Sequence, residues 1–263
     1  MNPSIDHEVD WSRLTAARLR ERAAANAILI LPVGATEQHG PHLPVMVDSR
    51  IVRAVAIDAA RRIALLEPAV VAPALPFGLS EHHVSIGGAL TLDLATYAAV
   101  LGCLCDSAIR QGFRRIFILN GHGGNAAALE AIVGSLTIEH RLPIATAAYW
   151  RIAETAIAAI LERQAGVLHA CEAETSMMMA LEPGLVAPSV PDACRGELVP
   201  GAAAIAGVDP AIYRWRQLGT RSTTGVVGEA GAATPEKGRR LLDAIAAALA
   251  VALTAPELWS API

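Results

Sequence analysis

Glu37, His39 and Asp48 fall within twelve residues of one another, directly after the apolar run 28–33. Carboxylates and imidazoles are donors that divalent ions such as zinc or manganese accept, so the grouping reads as part of a metal site. If residues 36–39 are extended, Glu37 and His39 project to the same side, because alternate residues of an extended chain share a face. Pro41 and Pro44 stiffen the chain beyond His39, and a fold back there brings Asp48 between the other two. Each residue alone has an ordinary explanation: a satisfied histidine in a polar loop or, for Asp48, the N-cap of a helix beginning near Ser49. The three together, set among Gly34, Gly40, Pro41 and Pro44, favour a metal.

Two further clusters carry the same donor types. In Asn120-Gly-His-Gly-Gly-Asn125, glycines flank His122 and let the backbone turn sharply enough to bring the imidazole close to a ligand. A glycine-rich turn can also cradle an anion at a helix N-terminus, but such loops usually carry a Lys or Arg, and none lies between Asn120 and Arg141. His169-Ala-Cys-Glu-Ala-Glu-Thr-Ser176 adds one histidine, Glu172 and Glu174, ahead of a helix over 177–181. Glu174 is explained by a place in the first helical turn, where the helix dipole favours negative charge, whereas Glu172 has no such explanation. Met177, Met178 and Met179 read as core filling, since the other ligands are hard oxygens and imidazoles.

The elements that must position these residues alternate. The pattern predicts strands at 28–33, 69–75, 115–119 and 143–149, and helices at 49–63, 94–110, 125–140 and 151–164, with Asn125 able to cap the third helix. Strand–helix alternation predicts an α/β fold, a mostly parallel sheet covered on both faces with right-handed crossovers. The reactive residues then fall repeatedly at the carboxyl ends of strands, where open parallel sheets bind ligands. Glu81, His82 and His83 also lie there, in the loop after the second strand. Region 184–231 is rich in Gly, Pro and polar residues, with only 224–227 strand-like, and is open to reading as loops, a lid or an oligomer contact.

Composition excludes several function classes. A net charge of −4 with 4% aromatic residues offers neither a basic surface nor a stacking platform for nucleic acid. The 263 residues, 53% of them apolar, suffice for one domain spanning 1–263 with a substantial core. Four scattered cysteines (103, 105, 171 and 194) make no disulfide framework and suggest a reducing, cytoplasmic setting. The first ten residues lack the layout of a signal peptide, and the apolar stretch 244–255 is shorter than the ~20 residues a membrane helix needs, so it reads as a buried helix.

The motifs at 31–48, 120–125 and 169–176, with the ending 224–238, strongly resemble the creatininase (creatinine amidohydrolase) family. The resemblance runs from residue 28 to about 181 in the family's order and spacing. It implies a three-layer α/β/α sandwich, a two-metal centre of zinc, manganese or iron, hydrolysis of a C–N amide bond, and often a hexamer. Carried over by position, Glu37, His39, Asp48 and His122 are metal ligands, with Asp48 bridging, His39 and His122 on one ion, and Glu37 on the other. Where creatininase itself has an aromatic residue and a Glu after the third-motif histidine, this chain has Gly123 and Gly124, so one ligand is missing. Glu172 is expected to replace it, because an ion held by only two carboxylates would be undercoordinated. His169 is expected near the metals as the acid that protonates the departing nitrogen, with Glu172 counted beside it in the catalytic set. Ser80, Glu81, His82, His83 and Gly123 correspond to substrate-contacting positions.

Two ions ~3.5–4 Å apart can share a water, lower its pKa towards neutrality and polarise the scissile carbonyl, and a hydroxide bridging the two ions is the expected nucleophile. The substrate is then a small-molecule amide or short peptide, with neither nucleic acid nor a membrane as partner. Relatives carrying Gly-Gly in the third motif include the peptidase of mycofactocin maturation, formamide hydrolases and inositol-derived lactone hydrolases, and the metal centre does not choose among them. A non-catalytic metal-dependent binding protein is the alternative from another class, and His169 argues against it.

Overall fold

Strands buried on both faces form the centre of the fold. The computed structural model describes residues 7–187 and 214–262. In it β1 (Ile28–Val33), β2 (Ala69–Val71), β3 (Arg115–Asn120) and β4 (Ile144–Ala148) form one sheet, ordered β2-β1-β3-β4 and parallel throughout. Side chains alternate between two cores, as the two-residue strand period requires. Ile28 and Ile30 join Phe117 and Leu119 on one face, whereas Leu29, Leu31 and Val33 join Ile116 and Ile118 on the other. This two-sided burial is why the strands read as unbroken apolar runs.

The helices are, in chain order, α1 (Ala16–Ala24), α2 (Val47–Ile63), α3 (Leu94–Arg110), α4 (Ala126–His140), α5 (Tyr149–Ile152), α6 (Glu154–Ile160), α7 (Glu172–Leu181) and α8 (Pro235–Leu253). Residues of α1, α3 and α4 pack on one face of the sheet, and residues of α2, α5, α6, α7 and α8 on the other, giving the α/β/α sandwich.

Several boundaries differ from the sequence pattern for identifiable reasons. β2 stops at Val71, because Pro73 and Pro76 remove ladder donors, although Leu75 still makes an isolated bridge to Val33. The helix expected over 151–164 is broken at Ala153, whose φ of −116° is not helical, into α5 and α6. α8 starts well before residue 244: Thr234 caps it, accepting from Lys237 N at 3.2 Å, and Pro235 occupies its first position. α1, capped by Thr15, precedes the first element the sequence pattern suggested. α7 begins at Glu172 instead of near Met177, which places both glutamates of that cluster inside the helix.

Among the described residues no helix is long and apolar enough to cross a membrane. The stretch 244–255 largely belongs to α8, which buries Ile245, Leu249 and Leu253 in the core. Cys103, Cys105 and Cys171 are free thiols, while Cys194 and the 188–213 part of the glycine-rich region lie outside the described residues. The strand suggested at 224–227 reduces to one bridge between Val227 and His169.

β1 and β3 are neighbours, with Val33 opposite Asn120. From β1 the chain passes to β2 on one side of the sheet and then to β3 on the other, so strand order reverses between them. The crevice at their carboxyl ends is the place where such sheets bind ligands.

Candidate metal centre

Asp48 lies in the first turn of α2, but Met46 is the N-cap and no side chain caps the helix, so the carboxylate is not occupied by capping. Its Oδ1 is 3.1 Å from His39 Nε2 and its Oδ2 is 3.0 Å from His122 Nδ1. Glu37 Oε1 is 3.2 Å from the same nitrogen of His122, and Glu174 Oε2 is 3.9 Å from His39 Nε2. Donor groups result around His39, with Asp48 and Glu174 or with Glu37 and His169, and around Glu37–His122, with Asp48 between His39 and His122. The side chains of Glu37, His39, Asp48, His122 and Glu174 are buried.

Hydrogen bonds on the far side of each imidazole fix which nitrogen faces the cluster. His39 Nδ1 lies 3.1 Å from the carbonyl of Glu37, and His122 Nε2 lies 3.2 Å from the carbonyl of Leu79. A carbonyl only accepts, so these nitrogens carry protons and donate, which leaves His39 Nε2 and His122 Nδ1, each facing carboxylates, as the positions that a second proton or a metal ion takes. Asn120 holds His122 further, accepting from its N–H at 3.0 Å and donating to its carbonyl at 2.8 Å. His39 Nε2, Glu37 Oε2 and Asp48 Oδ2 are buried without a hydrogen-bond partner, although His39 Nε2 and Asp48 Oδ2 have ionisable neighbours within about 3 Å. Donors converging in this way need positive charge among them, supplied by protons or by a metal ion, so the residues fit divalent metal.

The electrostatics agree. Burial disfavours charge on His39, yet Asp48, Glu174 and Glu37 outweigh it and push its pKa up to about 9. His122 is lowered by burial and raised more strongly by Glu37 and Asp48, ending well above the ordinary histidine value. Burial works against ionised Glu37, but His122, His83 and His169 hold it well below the usual carboxylate range. Glu174 is pushed up to about 7, chiefly by burial, with His39 opposing and Asp48 adding to the rise. The site concentrates negative charge that protons neutralise when metal does not.

The structure places two of the expected residues differently. His39 and His122 fall in no common donor group: His39 goes with Asp48 and Glu174 or with Glu37 and His169, and His122 with Glu37. Glu172 does not join the cluster. Its Oε1 is 2.7 Å from Lys237 Nζ, and its carboxylate accepts from the backbone N–H groups of Glu162 and Arg163 at 3.0–3.3 Å. Residues two apart on an α-helix stand ~200° apart around its axis, so when one glutamate of α7 faces the cluster the other faces away. Glu174 is the one that faces it, its Oε2 accepting from Ala170 N at 2.5 Å. Ala170 has a φ of +52°, a left-handed conformation unusual for alanine, and this turn aims its N–H at Glu174.

His169 adjoins the cluster, with Nδ1 3.6 Å from Glu37 Oε1 and Nε2 donating to the carbonyl of Gln38 at 2.8 Å. Ser80 is buried, with Oγ 3.4 Å from His122 Nε2, and Glu81, His82, His83 and Gly123 line the cleft above. His83 is bound on both ring nitrogens, Nδ1 to Gln38 Nε2 at 2.9 Å and Nε2 to Glu37 Oε1 at 3.3 Å. Asn125 makes no cap bond to α4; it accepts from Leu79 N at 2.9 Å and donates to the Gly34 carbonyl at 3.1 Å, tying together the loops after β1 and β2.

Gln38 is the functional residue that sequence reasoning passed over. Its amide donates to the Gly225 carbonyl at 3.1 Å and to His83 Nδ1, and its Oε1 accepts from Gly40 N at 2.8 Å. A Cβ at Gly225, where φ is +80°, would lie 2.1 Å from Gln38 Oε1, so only glycine lets that loop close on the glutamine. The sole signal was its position between two ligands.

Glu37, Asp48, His122 and Glu174 line a cleft of about 1510 Å³, and His39 is buried beside Asp48. Ala98 of α3 and Ala131 of α4 line one side, and Trp150, Trp215 and Arg221 line other parts of it.

Fold and site together define an α/β/α protein whose histidines and carboxylates form a metal-ligand cluster at the carboxyl ends of adjacent parallel strands. The creatininase family model, described as creatinine amidohydrolase, matches residues 12–253, and the chain belongs to that family of hydrolases acting on C–N amide bonds. It is 31% identical over 259 residues to the mycofactocin precursor peptide peptidase of Mycobacterium tuberculosis (strain ATCC 25618 / H37Rv), covering 93% of this chain and 92% of that protein. Creatinine amidohydrolase of Pseudomonas putida is 30% identical over 195 residues, covering 68% and 72%. The crystal structure of creatinine amidohydrolase (creatininase) superposes with a TM-score of 0.77 at 27% identity, covering 93% of this chain and 96% of that one. A creatininase structure designated Mn superposes with a TM-score of 0.76 at 26% identity, covering 94% and 97%.

Proposed function

We propose that the chain holds two divalent ions and hydrolyses an amide bond in an extended, peptide-like substrate. The single observation that carries this reading is the position of the donor cluster: Glu37, Asp48, His122 and Glu174 line a cleft of about 1510 Å³, with His39 buried beside Asp48. Pockets for compact small molecules typically measure ~300–1,000 Å³, so this cleft has room for substrate well beyond the scissile group. His39, Asp48 and Glu174 would hold one ion, and Glu37, Asp48 and His122 the other. When bound, zinc or manganese supplies Lewis acidity, polarising the carbonyl and acidifying water.

The chain's own residues do the rest. Nε2 of His169 donates to the Gln38 carbonyl, which leaves the Nδ1 lone pair facing Glu37 and the cluster. In this tautomer the imidazole first accepts a proton from the attacking water and then delivers it to the departing nitrogen, so the acid expected from the sequence starts the cycle as a base. The Gln38 main chain sets the orientation of that ring, and His83, 4.5 Å from His169 between ring centroids, steadies Glu37.

The test is to load metal-free protein with Zn²⁺ or Mn²⁺ and offer it short peptides, creatinine and a lactone, following amine or acid release by mass spectrometry. Metal-dependent cleavage of peptides is the expected result. Turnover confined to creatinine or to the lactone would overturn the peptide-like reading.

A further inference from the structure

We propose that His82 is a metal ligand, the second imidazole on the ion held by Glu37 and His122; the inference rests on the metal-centre reading above. A nitrogen of His82, a carboxylate oxygen of Glu37 and a nitrogen of His122 lie within 4.8 Å of one another. Donors on opposite sides of one ion stand about 4 Å apart at bond lengths of ~2.0–2.2 Å, so a small movement of a half-buried ring completes the set. His82 makes no hydrogen bond to any described residue; its ring neighbours are His122, at 5.6 Å between centroids and nearly parallel (19°), and His83 at 4.3 Å, and the charges of Glu37, Asp48 and Arg221 act on it. Both ring nitrogens are therefore available.

The neighbouring histidine supplies the contrast. His83 uses one nitrogen on Gln38 and the other on Glu37, so it supports a ligand and has no lone pair left to act as one. Adjacent in sequence, His82 and His83 sit on a 3-10 turn (Glu81–His83) that sends one ring into the core and leaves the other lining the cleft.

Gly124 makes the approach possible. A Cβ at that position would stand 2.3 Å from the Leu79 carbonyl oxygen, 2.4 Å from His122 Nε2 and 2.9 Å from His82 Cε1. Any side chain there would separate the two imidazoles and displace the carbonyl that fixes the His122 tautomer. The glycine thus gives His82 its place beside His122, and the two ion positions become unequal. One is held by His39, Asp48 and Glu174, and the other is richer in nitrogen, with His82 and His122 beside Glu37. Nitrogen donors favour Zn²⁺ and Co²⁺ over Mn²⁺, so the ion beside Glu37 is the more selective of the two.

The experiment titrates metal-free wild type and His82→Ala with Zn²⁺, Mn²⁺ and Co²⁺, reading affinity by calorimetry and coordination from the visible Co²⁺ spectrum. The variant should keep one site at wild-type affinity. It should lose ~10–100-fold or more in Zn²⁺ affinity at the other, at least the effect of removing a supporting residue, with a changed Co²⁺ spectrum. In unmutated protein, Zn²⁺ should protect His82 from carbethoxylation, mapped by mass spectrometry, a readout that does not depend on how the variant folds. Two full-affinity sites and an unchanged spectrum in the variant, or His82 labelled equally with and without metal, would overturn the inference alone. A wild type that binds no metal would overturn the metal-centre reading and this inference with it.

Discussion

Lys237 Nζ lies 2.7 Å from Glu172 Oε1, and this buried ion pair joins the first turn of α8 to the first turn of α7. The ammonium also donates to the Ala232 carbonyl at 2.6 Å and stands 3.2 Å from Glu162 Oε1. Breaking one side of such a pair leaves an uncompensated buried charge. Lys237→Met should therefore lower stability by about 3–5 kcal/mol in urea denaturation. The double variant Lys237→Met/Glu172→Gln should recover part of the loss, because a neutral amide oxygen still accepts from the backbone at residues 162 and 163. Glu172→Gln alone should still bind two ions, and loss of an ion from it would return Glu172 to the metal centre.

Glu174 and Asp48 should behave differently from Glu172 and from each other. Glu174→Gln removes a charged donor from the His39 set and should leave about one ion per chain after dialysis. Asp48→Ala should leave none, since its two oxygens face His39 and His122 separately. Metal content by mass spectrometry decides both, and a full complement in Asp48→Ala would rule out a carboxylate shared between two ions.

What could be read from the sequence here was whatever depends on local pattern. The runs 28–33 and 115–119 gave β1 and β3 because strands buried on both faces need unbroken apolar residues, and the positions of Glu37, His39 and His122 follow from where those strands end. The choice between Glu172 and Glu174 turned on where α7 begins, and helix starts without a side-chain cap leave no mark; Cys171 at its N-cap makes no such bond. Gln38 was not legible because, apart from Gly40, its side-chain partners lie 45, 131 and 187 residues away. Nor could sequence separate His82 from His83, whose difference is one step around a 3-10 turn.

His169→Ala should keep its metals while losing turnover by ~10²–10⁴-fold on substrates with poor leaving groups, the usual range for general acid–base catalysis. An amide whose leaving group needs no proton should suffer less. Equal losses on both substrate types would assign His169 to the support of Gln38 and Glu37.

Metal affinity should rise with pH. In metal-free protein His39 keeps its proton up to about 9, so binding below that pH must release it. Apparent affinity for the His39 ion should climb by about one log unit per pH unit from neutrality and level off near that value. The metal-free protein changes the other way. A histidine whose folded pKa is raised contributes stability fully below its unfolded value, near 6.5, and that contribution is lost as pH rises through about 9. The difference in Tm between metal-loaded and chelated protein should widen from pH 6.5 to 9, and a constant difference would contradict the assignment of that proton.

His39, His122 and His169 are each oriented by a main-chain carbonyl, those of Glu37, Leu79 and Gln38. Every residue has a carbonyl, so substituting Leu79 leaves in place the acceptor that fixes its imidazole's tautomer. Drift in side-chain identity at positions that contribute only a carbonyl, such as Leu79, is therefore tolerated, whereas inserting or deleting one residue in the loops at 34–40 or 76–83 slides each acceptor out of line. The lineage of this site should show exchange of side chains at such carbonyl-only positions and near-constant loop lengths, a signature to be sought in gaps more than in substitutions.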